Sequence, residues 1–164
     1  MIPLLVSAYT LTTCLGRGLA VTLAGLRAGS SGLAPCAFET AVIDTWIGEV
    51  AAVDDQTLPA TLARYDCRNN RLAQLGLETD GLAERVRAAA ALYGRHRLGV
   101  FLGTSTGGIL QAELAYRRRD PHGGALPDDF IYRNTHNPFS LAEFVSDFFD
   151  LEGPAMTVST ACSS

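Results

Sequence analysis

The chain carries little charge and lacks several patterns that define common functional classes. Of its 164 residues, 18% are charged, and the acidic residues outnumber the basic ones to give a formal net charge of −4. A nucleic-acid-binding protein needs a clustered basic surface, so this composition argues against nucleic acid as a partner. No apolar run reaches the roughly 18 residues of a membrane span, and no G-x-x-x-x-G-K-[ST] phosphate loop occurs.

Cysteine pairs with metal-binding or redox spacing are also absent. The four cysteines are Cys14, Cys36, Cys67 and Cys162, and no two of them form a C-x-x-C motif. Scattered cysteines in a chain that is 48% hydrophobic indicate reduced thiols in a full-sized core. The apolar start has no basic residue before Arg17, which argues against a signal peptide. We therefore expect a cytoplasmic protein that needs no disulfide.

The order of apolar runs and glycine breaks predicts a layered α/β fold in a single domain, residues 1–164. Alternating elements of this length place helices over a sheet in the order β-α-β-α-β-α-α-β. Ser140 and Glu143 have the spacing of a capping box. The predicted strands cover residues 3–9, 46–53, 97–102 and 155–159, and the predicted helices cover 18–27, 62–93, 107–118 and 140–149, with a break near 79–81.

One candidate nucleophile is Ser105, because Gly103-Thr-Ser-Thr-Gly107 matches the G-x-S-x-G motif between a strand and a helix. In a serine hydrolase, His136 would act as the general base and Asp128 or Asp129 would orient it. Too few residues separate either aspartate from the histidine to form an intervening strand. Two other interpretations compete: a tight turn that needs glycine for close packing, and a loop that contacts substrate.

The second candidate nucleophile is Cys162, in the segment Val158-Ser-Thr-Ala-Cys-Ser-Ser164. Small residues after a buried strand leave room for a substrate. A helix starting there would favour the thiolate and could stabilise an oxyanion. A lone cysteine is otherwise a small buried apolar residue, which is the interpretation for Cys14, Cys36 and Cys67.

The segment Leu151–Ser164 resembles the active-site segment of β-ketoacyl synthases, the thiolase-fold condensing enzymes of fatty-acid and polyketide synthesis. Their pattern is approximately G-P-x-x-x-x-x-T-A-C-[ST]-S, and it fits the residues that begin at Gly153. The run from Arg97 to Gly108 is similar to the family's R-x-G-x-x-x-G-x-x-x-G-G strand and turn, and Gly29–Gly32 to its G-x-S-G loop. The resemblance covers essentially the whole chain and accounts for the 103–108 glycines without a serine hydrolase.

The resemblance implies that Cys162 accepts an acyl group from acyl carrier protein or coenzyme A. A carbanion from decarboxylated malonyl-acyl carrier protein would then attack this thioester. In the family, two histidines and a lysine downstream of the cysteine assist, and here two residues follow it. We therefore expect the N-terminal half of a longer synthase, inactive alone. The resemblance also implies a homodimer without cofactor or metal. The alternative to a catalytic synthase is a truncated relative that acts as a non-catalytic binding module.

Further assignments follow from the same resemblance. Thr106 occupies a position where many fatty-acid synthases have a bulky aliphatic residue beside the acyl pocket, so it predicts a wider or more polar pocket; a turn residue is the alternative. Arg64, Arg68 and Arg71 fall where relatives carry basic residues that face the acidic carrier protein, although solvated helix charges have the same pattern. Residues 66–71 also resemble synthases from aryl-polyene pigment clusters.

Overall fold

The computed structural model describes residues 3–38 and 41–164, and these residues form both helices and strands. The strands are β1 (Thr12–Thr13), β2 (Gly16–Arg17), β3 (Leu33–Pro35), β4 (Trp46–Gly48), β5 (Val100–Gly103) and β6 (Ala155–Val158). The helices are α1 (Leu19–Arg27), α2 (Arg68–Leu77), α3 (Leu82–Tyr93), α4 (Ile109–Arg117), α5 (Tyr132–Thr135) and α6 (Ser140–Phe148). Three 3₁₀ segments lie at Ala60–Tyr65, Arg95–Arg97 and Ala161–Ser163.

The central pair of strands is β5 and β6, which run parallel with Val100 opposite Ala155 and Gly103 opposite Val158. Antiparallel pairs join β1 to β2 and β3 to β4. Parallel strands need a long crossover, and here α4, α5 and α6 supply it. Helix α6 packs on both strands and covers one face of the pair.

The core lies between α6 and the 3₁₀ segment that precedes α2. Phe144 of α6 is fully buried, and its ring meets Tyr65 edge-on at 5.8 Å between centroids. Val100 brings β5 into the same cluster, together with Leu62 and Phe149. The other face of the β5–β6 pair is open: Phe101 is 68% exposed, and Met156 and Val158 are also exposed. The β5–β6 pair therefore packs on the core through one face and leaves its other face exposed.

The predicted strand at residues 3–9 is wrong, because these residues pair with no strand in the part of the chain that the structure describes. Leu4 is 98% exposed. A strand depends on a neighbour to receive its backbone hydrogen bonds, and an apolar run alone does not provide one. The predicted strand at 46–53 ends at Gly48, and that at 97–102 starts at Val100.

The predicted helical region 62–93 is divided into a 3₁₀ segment and two α-helices, with the predicted break at Thr79–Gly81 confirmed. Asp80 and Gly81 both adopt positive φ, 55° and 73°. The Asp80 carboxylate also accepts hydrogen bonds from the Leu19 N–H (3.0 Å) and from Thr10 Oγ1 (2.9 Å). The break between α2 and α3 therefore caps α1.

The predicted capping box at Ser140 is wrong. Ser140 is the first residue of α6 rather than its cap, and it is buried. Its hydroxyl donates to the Asn134 carbonyl, whereas Glu143 forms an ion pair with Arg133 at 3.1 Å. Tertiary partners have replaced the local capping bonds. Within residues 3–38 and 41–164, none of the helices combines the length and apolar character needed to cross a bilayer.

Candidate active site

Cys162 lies in a short 3₁₀ turn that starts after Ser159 and Thr160, the two residues beyond β6, and it is exposed. Ala161, just before it, has φ of +54°, a left-handed conformation that residues with a Cβ rarely adopt. The turn closes with a hydrogen bond of 2.7 Å from the Thr160 N–H to Ser164 Oγ. Its neighbours Ala161 and Ser163 are small. The turn thus presents the thiol to solvent with little side-chain bulk around it.

The backbone of the Cys162 turn packs against the end of β5. The Thr104 N–H donates to the Val158 carbonyl at 3.1 Å, which extends the β5–β6 pairing to the edge of the turn. A Cβ on Gly103 would lie 2.6 Å from the Ser164 carbonyl carbon, a distance that real Cβ atoms do not reach. Glycine at 103 is therefore required for the two backbones to come this close.

The other end of the glycine segment, residues 103–108, packs on a second turn. A Cβ on Gly107 would lie 2.2 Å from the His136 carbonyl oxygen, and one on Gly108 would lie 2.6 Å from the Thr135 oxygen. The Gly108 N–H donates to that same Thr135 oxygen at 2.8 Å. These approaches explain the glycines of the G-x-S-x-G match as packing requirements at a tight turn.

The serine-hydrolase hypothesis lacks the contacts that it needs. Ser105 is exposed, and no hydrogen bond joins it to His136, or His136 to either predicted aspartate, among the described residues. Asp129 instead accepts two hydrogen bonds from Arg118, at 2.9 and 3.2 Å, which lower the pKa of its carboxyl group. The His136 ring stacks on Tyr132 with centroids 5.3 Å apart. The three groups are not assembled as a triad.

Thr106 lines a cavity of about 590 Å³ between the β3–β4 hairpin and the starts of α2 and α4. We call this space the Thr106 cavity. Arg68 also lines it, and Cys162 does not. Much of the wall is apolar: Phe38, Ile43, Ile47, Leu72 and Ile109. The structure thus brings two of the predicted site residues together, and the glycine segment connects them to the cysteine turn.

The predicted carrier contacts Arg64 and Arg71 are both held by other groups of the chain. Arg64 donates to the Thr61 carbonyl at 3.0 Å and to the Asp147 carboxylate at 2.6 Å. Arg71 makes two parallel hydrogen bonds to Asp66, at 2.6 and 2.7 Å. The Asp66 carboxylate raises the pKa of Arg71, and the neighbouring Tyr65 hydroxyl, followed by Asp147, raises the pKa of Arg64. Both side chains therefore have structural roles in the isolated chain.

The third predicted contact, Arg68, is held less firmly. Its guanidinium forms one ion pair, to Asp54 at 3.0 Å. It also lies over the Phe38 ring, 4.9 Å from the centroid. The three arginines, which we call the arginine surface (Arg64, Arg68 and Arg71), are thus close to local charge neutrality.

Two buried residues lie near this surface: Tyr65, which the sequence did not single out, and Cys67, which it predicted to be buried. The Tyr65 hydroxyl donates to Asp147 at 2.7 Å, and burial, followed by this bond, raises the pKa of Tyr65 to about 12. Cys67 is completely buried, its thiol lies 3.9 Å from the Thr135 carbonyl oxygen, and burial raises its pKa. Cys67 is therefore a core thiol, as expected. The partners of both residues come from α5 and α6, far along the chain.

Comparison with known families places these features in one class of protein. The family model described as "Beta-ketoacyl synthase, N-terminal domain" matches residues 59–164, a range that includes α2, the glycine segment and Cys162. The chain belongs to the β-ketoacyl synthase family, and the resemblance found in its sequence is confirmed.

Individual relatives agree with this class. The chain is 31% identical over 128 residues to polyketide synthase ThaG from Burkholderia thailandensis. This match covers 73% of the chain and 2% of that protein. It superposes with a TM-score of 0.73 on a ketosynthase, ApeO, solved in complex with its chain length factor, ApeC, from Xenorhabdus doucetiae. That match is 24% identical and covers 93% of this chain and 38% of the ketosynthase. The α/β fold is thus thiolase-like, and the chain spans well under half of either relative.

Proposed function

We propose that this chain carries the nucleophile of a β-ketoacyl-acyl carrier protein synthase, an acyltransferase that joins an acyl thioester to a malonyl unit. The observation that carries the proposal is the exposed Cys162 in the Thr-Ala-Cys-Ser-Ser turn after β6. An exposed thiol among small residues meets the first requirement of covalent acyl transfer, which is access of a carbonyl carbon to sulfur.

The proposed reaction has two stages at Cys162. The thiolate attacks the acyl thioester, a new C–S bond forms, and the carrier leaves as a thiol after taking up a proton. Malonyl-acyl carrier protein then loses CO₂, and the resulting carbanion attacks the carbonyl carbon of the acyl-cysteine. A C–C bond forms, the C–S bond to Cys162 breaks, and the thiolate is regenerated. The family resemblance assigns assistance in decarboxylation to histidine and lysine residues beyond this chain.

The Thr106 cavity is the proposed site for the acyl chain. Its volume of about 590 Å³ and largely apolar wall suit a flexible hydrocarbon chain. A threonine at this position is smaller and more polar than a bulky aliphatic residue, so it leaves more width beside the chain. The glycine segment contains Thr106 and begins at Gly103, which packs against Ser164, so it joins the cavity wall to the Cys162 turn.

The proposed partners are an acidic acyl carrier protein and a second synthase subunit. Arg68 of the arginine surface lines the Thr106 cavity, where a carrier could deliver its thioester. Among the described residues β6 has one strand neighbour, β5, and its side chains Met156 and Val158 are exposed. A homodimer that pairs β6 with its mate would use this edge. A partner like the chain length factor of the similar ketosynthase is the alternative subunit.

The proposed pathway is fatty-acid or polyketide synthesis in the cytoplasm, and similarity to a polyketide synthase supports the second. The resemblance of residues 66–71 to aryl-polyene synthases suggests a narrower substrate class. Products released from acyl-carrier substrates by the purified complete protein, identified by mass spectrometry, would separate these pathways.

The deciding experiment labels the nucleophile in the complete protein. Iodoacetamide and a fluorophosphonate probe are applied in parallel, and acylation by a small acyl thioester is followed by intact mass. We expect alkylation and acylation at Cys162 and loss of acylation in Cys162→Ala, with Ser105→Ala as the matched control. Fluorophosphonate labelling at Ser105 would support the hydrolase instead, and absence of any acylation would support a non-catalytic module.

A polypeptide limited to residues 1–164 should form no condensation product from radiolabelled malonyl-acyl carrier protein. The family's downstream histidines are not among these residues. Condensation by this polypeptide would contradict the proposed division of labour between the two halves of the fold.

A further inference from the structure

Arg68 differs from the other members of the arginine surface in how firmly it is held. Arg71 makes two parallel bonds to Asp66, and Arg64 bonds to both a carboxylate and a backbone carbonyl. Arg68 has one ion pair, from Nη2 to Asp54 Oδ2 at 3.0 Å. Only Arg68 of the three lines the Thr106 cavity. The arginine nearest the proposed acyl site is therefore the one that is easiest to exchange.

Asp54 makes no other direct bond among the described residues, although its charge also acts on Arg71 at longer range. Its side chain is 71% exposed in a turn that precedes the 3₁₀ segment, and it accepts no other hydrogen bond among the described residues. Arg68 is 26% exposed and rests on the Phe38 ring, so its position does not depend on Asp54 alone. Loss of the ion pair would leave the guanidinium in place with an unpaired charge beside the cavity.

An exposed ion pair of this kind is weak and readily exchanged for another anion. We propose that Asp54 competes with the carrier protein for Arg68. The Asp54 carboxylate pairs with the Arg68 guanidinium until a carboxylate of an acidic carrier protein takes its place. Asp54 thereby lowers the affinity for the carrier in two ways. Each docking event must break the Asp54–Arg68 ion pair, and it brings a carrier carboxylate close to the negative charge of Asp54. This inference rests on the proposed function, because it takes the acyl carrier protein as the acidic partner.

The test measures binding of a fluorescently labelled acyl carrier protein to the complete protein by anisotropy, at low ionic strength where surface charges are least screened. Asp54→Asn keeps the side-chain size and removes the charge. We expect about two- to five-fold tighter binding, the range for one exposed ion pair. The gain should vanish in the double variant with Arg68→Gln and fade as salt is added. Thermal unfolding checks that Asp54→Asn leaves the fold intact.

The matched control is Asp150→Asn, which removes a similarly exposed partner from Arg95, outside the pockets that Arg64 and Arg68 line. It changes the net charge by the same amount and should leave carrier binding unchanged. An equal gain in carrier affinity in both variants would show that the effect comes from net charge alone, and it would overturn the proposal. If Arg68→Gln weakens binding and Asp54→Asn does not strengthen it, the carrier surface stands and the competitor role is wrong. If neither change alters binding, the assignment of the carrier to this surface fails as well.

Discussion

Two cysteines occupy comparable turns in this molecule and have opposite environments. Cys67 directly precedes α2 and is completely buried, with its thiol directed to the Thr135 carbonyl. Cys162 lies four residues beyond the end of β6 and is exposed. The two ends of the glycine segment contact these two turns, Gly108 at Cys67 and Gly103 beside Cys162. A turn at the end of an element therefore does not by itself make a cysteine reactive; the groups that cover the turn decide it.

The covering groups explain the difference physically. At Cys67, the chain around α5 lies over the thiol, and desolvation raises the thiol pKa. At Cys162, the adjacent residues are alanine and serine, and the side chain is exposed in the described part of the chain. The thiolate, rather than the thiol, is the nucleophile. Burial therefore suppresses the chemistry at one turn, and exposure permits it at the other.

The largest expected effect is in alkylation rate. Iodoacetamide should modify Cys162 faster than Cys67 by on the order of a thousand-fold or more, because Cys67 reacts only when the fold opens. The modified peptides are quantified by mass spectrometry over time in the native protein. The same measurement in denaturant should remove most of the difference. Comparable native rates at the two cysteines would show that the contrast in burial is wrong.

A second prediction concerns the two glycines that support these turns. Gly108→Ala and Gly103→Ala should each lower the free energy of unfolding by about 1–3 kcal/mol, because the new methyl group meets backbone atoms at 2.6 Å. Gly76→Ala, inside α2 with its nearest contact at 3.9 Å, should instead stabilise by about 0.5–1 kcal/mol. Denaturant titration of the three variants checks this. A stability gain at Gly108 would contradict the close packing on Cys67.

The third prediction concerns Thr106, which lies between the two supporting glycines. Thr106→Ile should narrow the Thr106 cavity and reduce acylation of the complete protein by long acyl thioesters about tenfold, while short ones are little affected. Thr106→Ser is the control that keeps the hydroxyl and removes bulk. The ratio of acylation rates for long and short thioesters provides the measurement. An unchanged ratio in Thr106→Ile would separate this cavity from the acyl chain.

The smallest effect concerns Tyr65, two residues before Cys67. Burial raises its pKa to about 12, so the folded state favours the neutral phenol. The stabilising contribution is complete below the ordinary tyrosine pKa of about 10 and is lost as the pH rises towards 12. In an absorbance titration, one of the five tyrosines should ionise late, and Tyr65→Phe should remove that step. Simultaneous ionisation of all five would contradict the burial.

Local patterns predicted the parts of the fold that depend on local forces. The helix near 107–118, the strand at 155–159 and the break at 79–81 were all predictable from apolar spacing and glycine position. The capping box at Ser140 failed because Asn134 offers the hydroxyl a better-placed tertiary acceptor. The strand at 3–9 failed because no neighbouring strand is present among the described residues. Sequence spacing cannot show which distant backbone is available as a partner.

The candidate site shows the same limit. The family motif identifies Cys162, since its neighbours in sequence define the turn. The arginine surface, in the 3₁₀ segment and α2, was predicted from the family resemblance, but its charge balance depends on Asp147 and Asp54, which lie in other parts of the chain. The burial of Cys67 likewise depends on Thr135. A sequence gives the residues that can react, and the fold determines which of them are neutralised or covered.

The parallel pairing of β5 with β6 has a consequence for the order of folding. Val100 pairs with Ala155, so the whole crossover through α4, α5 and α6 must close before the two strands meet. Closing a long loop is entropically unfavourable, and non-local parallel pairing is intrinsically slow. The local helices can form early, whereas the backbone that supports Cys162 against Gly103 is completed only when the loop closes. The reactive thiol is therefore expected to reach its final geometry among the last steps of folding.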